Sequence, residues 1–547
     1  MARNYGLNGE GLGIPIICLP VFVAALVIAL YLRAPDQKEP PSLPERIPFI
    51  SNGYQYLTNV SRFMDRVKET LEKNRSNIIK FYIGPTRGYI VTGTKNVQAL
   101  LGSPHSLGGD WLQIQLMDKH WEMTKSEIQK FVNDKSGRLE TPAPGSERVP
   151  ESQRYWLGHQ RLYVEFLTQQ RHCQALADGF YRFFDEKTDL NLQEFETVSL
   201  FSTLKLTMTE SATLSFFGSR ILELNSGFSE CYWAFDPFGG KLVWGLPKWL
   251  DPVPYLARAR LHRMTRRYVD SAWKNLNPGA SDADWDPHWG SRLSRETAKW
   301  LRAAGFSDKA LAGHVLGTLF GLHGNTVPIT TWILIELIKD QSLMQDARAE
   351  VLEAFAFDAN KGRRFLNPQK LTSQPLLQSI YTEILRLHVS FTISREAMRP
   401  VEIDGYKIPS GSLVQSSSNI AHFDESVWGT EEHPASEFWA ERHIKYADAD
   451  GEVGKRQFSM RGRPTSFFPY GGGYVVCPGR HFAKQEILIA VALFITKFDI
   501  ELVEWTNMNG TKSDREAHDD QYYAGVIAMP PDRDMKVRLK KTQGLID

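Results

Sequence analysis

Cysteine is scarce in this chain: four residues, Cys18, Cys173, Cys231 and Cys477, are spread over 547 positions. So wide a spacing makes no disulfide framework and argues against a core held by bridges. Charge of one sign is missing too. Lys and Arg number 64 against 63 Asp and Glu, a formal net charge of +1, so no electrostatic case exists for a nucleic-acid partner. After residue 50 there is no composition shift and no long linker. The length alone would suggest several domains, yet nothing in the sequence divides them.

Long apolar runs are rare, and the one that stands out is at the start. Residues 12–32 are almost uninterrupted in apolar character, enough to cross a hydrocarbon core of about 30 Å as a helix. Pro15 and Pro20 weaken its beginning but leave Val21–Leu32 intact. A cleaved signal peptide is the competing reading; the run is long for one and has no clear small-residue cleavage site. Basic residues follow the run (Arg33, Lys38, Arg46) more than they precede it (Arg3). The positive-inside rule then puts the body in the cytosol. The expected organisation is a membrane anchor over 1–34, a stiff proline-rich connector over 35–50, and a catalytic body over 51–547.

The chemistry lies near the other end. In Phe468-Pro-Tyr-Gly-Gly-Gly-Tyr-Val-Val-Cys477-Pro-Gly-Arg480 a lone cysteine sits in a glycine-rich loop running into an amphipathic helix, with Pro478 expected at its start. Glycines let backbone N–H groups approach the sulfur, and the positive end of a helix favours thiolate over thiol. Taken alone, such a loop also reads as a buried cysteine in a turn. Upstream, Tyr381-Thr-Glu383-Ile-Leu-Arg386 places a carboxylate and a guanidinium on one helix face. Phe438-Trp-Ala-Glu-Arg442-His443 lies between the two.

These three segments, in this order, resemble the haem-binding loop, the Glu-x-x-Arg pair and the third conserved element of the cytochrome P-450 family. Tyr470 stands where the family usually has Phe, Gly473 and Gly479 match its glycines, and Ala440 and His443 depart from its usual proline and aromatic. The resemblance implies a mainly α fold, a large helical domain plus a small β-rich region, with an N-terminal transmembrane helix. It implies haem b with Cys477 as the axial iron ligand, Gly473 shaping the loop, and a structural network of Glu383, Arg386 and Arg442. It also implies that Arg395 and Trp156, with a basic neighbour, meet the haem propionates. For Trp156, an amphipathic helix start with solvated basic residues reads equally well.

A long buried helix is predicted from Ser307-Asp308, a good N-cap, to about Asp340, some 45–50 Å at about 1.5 Å per residue. Pro328 inside it cannot donate to the Gly324 carbonyl. In most of the family an acid followed by Thr occupies this place and helps deliver protons; here Gly324 and Asn325 stand there. That pattern, with the Phe235-Asp236 to Gly245-Leu246-Pro247 stretch, resembles the branch of sterol and oxysterol 7α-hydroxylases and prostacyclin synthase. The loop flavour suggests a fungal member. Asn325 and the Gly324 carbonyl are the expected catalytic groups, holding an ordered water. His323, one residue earlier, reads better as a core histidine than as a ligand, because a distal ligand would block oxygen. Two β-rich runs, Phe81–Pro85 and Tyr89–Gly93, predict a hairpin.

The activity implied is a monooxygenase acting on a large hydrophobic substrate (a steroid, a terpenoid or a fungal secondary metabolite). NADPH electrons would arrive through NADPH-cytochrome P-450 reductase, docking where Arg480 and Lys484 offer positive charge. The enzyme would sit in the endoplasmic reticulum membrane as a single-pass protein in contact with lipid. The rival reading is an NADPH-independent isomerase or dehydratase resembling prostacyclin synthase, and a requirement for NADPH separates the two. A non-catalytic haem sensor or carrier is a third reading, excluded by any turnover.

Overall fold

The computed structural model describes residues 39–189, 195–244, 247–276, 283–358, 363–446, 454–463 and 465–542. The expected membrane span at 12–32 lies outside the described residues, as do Gly245 and Leu246. Among the described residues no helix is long and apolar enough to cross a membrane.

Helices dominate, and one sets the frame. Asp308–Lys339 runs for 32 residues through Pro328, and the side chain of its N-cap, Ser307, accepts the Ala310 N–H at 3.2 Å. Its side chains are buried around most of its circumference, because other helices cover it on several sides. Leu200–Phe217, Val253–Lys274, Pro375–His388 and Arg480–Lys497 all pack on it. Their apolar faces merge into one large core that includes Leu204, Leu316, Leu334, Ile384 and Val491.

The β-rich part is a five-stranded sheet in the order Ile78–Ile83, Thr86–Val91, Leu413–Ser417, Thr392–Ala397, Leu107–Gly108. The first two strands form the expected hairpin, with Ile78 opposite Val91. Leu413–Ser417 joins the hairpin in parallel and carries Thr392–Ala397 antiparallel on its other side, with Val414 opposite Arg395. Two smaller apolar clusters seal this sheet against the helices around it. A second sheet joins Phe498–Thr506, Asp534–Lys541 and Glu196–Ser199. The helix that follows the cysteine loop, Arg480–Lys497, packs on the middle of Asp308–Lys339, where the Thr326 hydroxyl donates to Glu486 at 3.1 Å.

Candidate active site

The cysteine loop is shaped by its glycines. Gly471 and Gly473 have φ of 70° and 65°, a region that side-chain-bearing residues rarely adopt. A Cβ on Gly473 would stand 2.4 Å from the Leu101 carbonyl oxygen, so that position admits no side chain. The turn closes with the Cys477 N–H donating to the Tyr470 carbonyl at 3.0 Å. The helix begins at Arg480 with Gly479 as N-cap, so Pro478 stands in the preceding turn and not at the helix start. The backbone N–H groups of Gly479 and Arg480 reach the Cys477 sulfur; burial nevertheless pushes the thiol up, and these two N–H groups with the Arg480 charge oppose it. A thiol so placed is ionised by a bound cation rather than by the polypeptide alone. Tyr470 finds a reason for its hydroxyl in Tyr381, whose own hydroxyl it hydrogen-bonds.

The Glu-Arg network is fully buried. Arg386 forks onto Glu383 through Nε and Nη2, both at 2.8 Å, and Arg442 Nε donates to the same carboxylate at 2.7 Å. His443 Nε2 lies 3.2 Å from it as a fourth member. Burial alone would raise the Glu383 pKa, but the hydrogen bonds from Arg386 and His443 and the charges of Arg386 and Arg442 bring it down to about 2. His422 ties this network to the cysteine loop. Its Nε2 accepts the Phe468 N–H at 3.1 Å while Nδ1 meets the Arg386 carbonyl at 3.1 Å. The ring is therefore neutral with its proton on Nδ1, and burial holds its pKa at about 3.

Beside the loop, Arg395 is buried, with Nη1 on the Ser394 carbonyl and Nη2 on the Gly472 carbonyl, both at 2.9 Å. Its Nε–H has no protein partner. Trp156 departs from expectation: its indole N–H donates to the Phe131 carbonyl at 2.9 Å, so that hydrogen is not available to a propionate. Its basic neighbour Arg161 turns outward to Glu140 and Glu151. The cation on the Trp156 face is Arg138, 4.0 Å from the ring centroid and doubly bonded to Asp110. Arg480 and Lys484 also differ from expectation as docking charges. Arg480 donates to the Cys477 carbonyl at 2.9 Å and Lys484 to Gln378 at 2.8 Å, both half-buried.

On the long helix, Asn325 is not left free to hold water through its oxygen. That atom accepts the Ala528 N–H at 3.0 Å and pins the segment before Pro530 to the helix. His323 is a core histidine, its Nε2 3.1 Å from the Thr213 hydroxyl and its pKa lowered to about 3 by burial. Gly324 sits against two groups that sequence reading did not single out as functional. An ideal Cβ there would meet Asp236 Oδ1 at 3.0 Å and the Tyr232 hydroxyl at 3.4 Å.

A haem needs a strong axial donor and partners for two acidic arms. Cys477 is the donor the loop offers, and the unpartnered buried Nε–H of Arg395 is a fitting partner for an acid, so the residues present fit the group. Among the described residues no cluster of three or more His, Cys, Asp or Glu side chains could hold a metal otherwise.

The family model described as cytochrome P-450 matches residues 125–514. Among curated proteins, the cytochrome P-450 monooxygenase calL of Penicillium decumbens is 42% identical over 533 residues, covering 96% of this chain and 98% of that protein. The cytochrome P-450 monooxygenase fsoE of Humicola fuscoatra is 28% identical, covering 94% of this chain and 90% of its own. The cholesterol 7-alpha-monooxygenase of Cricetulus griseus is 27% identical over a shorter stretch, 43% of this chain and 46% of that protein. With the cysteine loop, the Glu-Arg network and the long helix in one core, the chain belongs to the cytochrome P-450 family and is a haem-dependent monooxygenase.

Proposed function

We propose that Cys477 is the thiolate that holds haem b, and that the enzyme inserts one atom of O2 into a large hydrophobic substrate such as a steroid, a terpenoid or a fungal secondary metabolite. The observation that carries this reading is the Cys477 sulfur itself, set at a helix entrance with the Gly479 and Arg480 N–H groups upon it. Of the other cysteines described, Cys173 and Cys231 are buried as well, but neither thiol has backbone N–H groups set against the effect of burial. When bound, the haem supplies the oxygen chemistry, and a thiolate donor favours O–O cleavage.

The protein's own groups hold and orient. Gly473 lets the loop close on Leu101, Arg395 offers its free Nε–H to a propionate, and Arg138 is a second cation nearby. Glu383, Arg386, Arg442 and His422 keep the loop in register from beneath. Electrons come from NADPH through NADPH-cytochrome P-450 reductase. The body faces the cytosol, tethered to the endoplasmic reticulum membrane by residues 12–32; the exposed Trp249, Leu250, Val253 and Leu256 support contact with lipid.

The reduced carbon-monoxide difference spectrum of Cys477→Ala tests the ligand. Loss of the thiolate-type band, with the fold intact by circular dichroism, is expected. A wild-type spectrum in that variant would remove Cys477 from the iron.

A further inference from the structure

Asp236 is one of the least exposed carboxyls among the described residues, 3% accessible, and it caps the C-terminal end of Phe228–Phe235 directly against Gly324. The Tyr232 hydroxyl donates to Asp236 Oδ1 at 2.9 Å, and the Tyr523 side chain hydrogen-bonds the same carboxyl from the C-terminal segment. Tyr232 also meets the Gly324 backbone in a hydrogen bond. The position is one that a side chain on residue 324 would occupy, since an ideal Cβ there comes within 3.0 Å of Asp236 Oδ1. A Cβ there would crowd the carboxyl, which would have to give way slightly. Pro328 leaves the Gly324 carbonyl without its helical donor at the same place.

The rest of the surroundings matches a proton route. Tyr523 is half-buried and follows the exposed Tyr522, so one of the two hydroxyls on the carboxyl belongs to a side chain at the edge of the core and the other to Tyr232 beside Gly324. The charged and titratable groups that face it are few. Lys205 on Leu200–Phe217 lies within electrostatic reach, and Tyr232 and Tyr523 are its partners. His323 stacks edge-on against Tyr232 at 5.0 Å and is neutral. Burial pushes the carboxyl up to about 6, and the two tyrosine hydroxyls and Lys205 limit the rise. It is thus able to carry a proton close to neutral pH.

We propose that Tyr523, Asp236 and Tyr232 form a proton relay that delivers protons at the Tyr232 hydroxyl, beside Gly324, for the monooxygenase reaction. Each proton leaving the Tyr232 oxygen is replaced from the Asp236 carboxyl, and that one through Tyr523 from solvent, so no group changes oxidation state. Monooxygenation consumes two protons and two electrons for each oxygen atom that leaves as water, and the relay supplies the protons. The inference rests on the haem-thiolate reading above.

The test needs no substrate. The full haem-loaded chain is reduced with a photoreduced flavin in air, and the share of O2 released as hydrogen peroxide is measured against water. Peroxide takes two protons per O2 and water takes four, so a starved relay raises the peroxide share. Asp236→Asn and Tyr232→Phe should raise it several-fold and abolish its pH dependence around about pH 6, while Asp236→Glu should restore part of the wild-type ratio. Independently of turnover, infrared difference spectra between about pH 5 and about pH 8 should contain a carboxylic C=O band that Asp236→Asn removes. An unchanged peroxide share and pH profile in Asp236→Asn would overturn the relay. If that variant loses haem, Tyr523→Phe decides in its place: an unchanged share there overturns the relay equally. A wild-type carbon-monoxide spectrum lacking the thiolate band would instead strike the Cys477 reading, so the two failures are distinct.

Discussion

Glu383 binds Arg386, Arg442 and His443 with no exposed side-chain surface on any of the four. Such a cluster is costly to bury and holds only while every charge has a partner. The carboxylate is depressed from 4.5 to about 2, so its stabilisation is complete above about pH 4.5 and fades as pH falls towards about 2. A shift of this size corresponds to about 3 kcal/mol. Glu383→Gln should therefore lower stability by roughly that amount at neutral pH, with the gap to wild type narrowing below about pH 4. Denaturant midpoints at the two pH values check this, and a gap that stays constant would separate Glu383 from the network's charge. His422 extends the same reasoning to the cysteine loop. Through it, loosening at Glu383 is transmitted to Phe468 by one neutral ring with a fixed tautomer.

At the scale of elements, Asn325 ties two segments far apart in sequence. Its amide oxygen holds the Ala528 N–H, and Trp332, about two turns further on, donates to the Met529 carbonyl at 2.9 Å. Asn325→Ala should free the Ala528 N–H and cost about 1–2 kcal/mol locally. Faster amide exchange confined to residues 525–529, with haem retained, is the expected result; unchanged protection there would mean that Trp332 alone holds the segment. What the sequence made legible follows from the same distinction. The Ser307 cap, the span of the long helix, the hairpin and the Glu383–Arg386 pair depend on residues a few positions apart, and local spacing records them. Arg138 on Trp156, His422 under the loop and Asp236 against Gly324 join residues on different elements. A carboxyl on one helix and a bare glycine on another carry no shared spacing, so only the packing brings them together. The hydrogen bond from the Trp156 indole N–H to the Phe131 carbonyl is hidden for the same reason, since Phe131 belongs to a preceding helix.

For the molecule as a whole, the proposed membrane contact of the body can be tested at its surface. Trp249 is 80% exposed, and Leu250, Val253 and Leu256 beside it are 52%, 53% and 61% exposed. Two exposed arginines follow on the helix Val253–Lys274, Arg260 and Arg263, a pairing of apolar tip and basic stem that suits an interface with anionic lipid. This patch follows Asp236 in the chain and runs into the helix Val253–Lys274, which packs on the long helix. The chain lacking residues 1–38 should then still bind anionic phospholipid vesicles. Trp249→Ser with Leu256→Ser should weaken that binding about thirtyfold, the equivalent of about 2 kcal/mol of apolar surface left in water. Flotation of both proteins with vesicles measures it. Equal flotation would mean that the patch faces water and that attachment depends on the N-terminal residues alone.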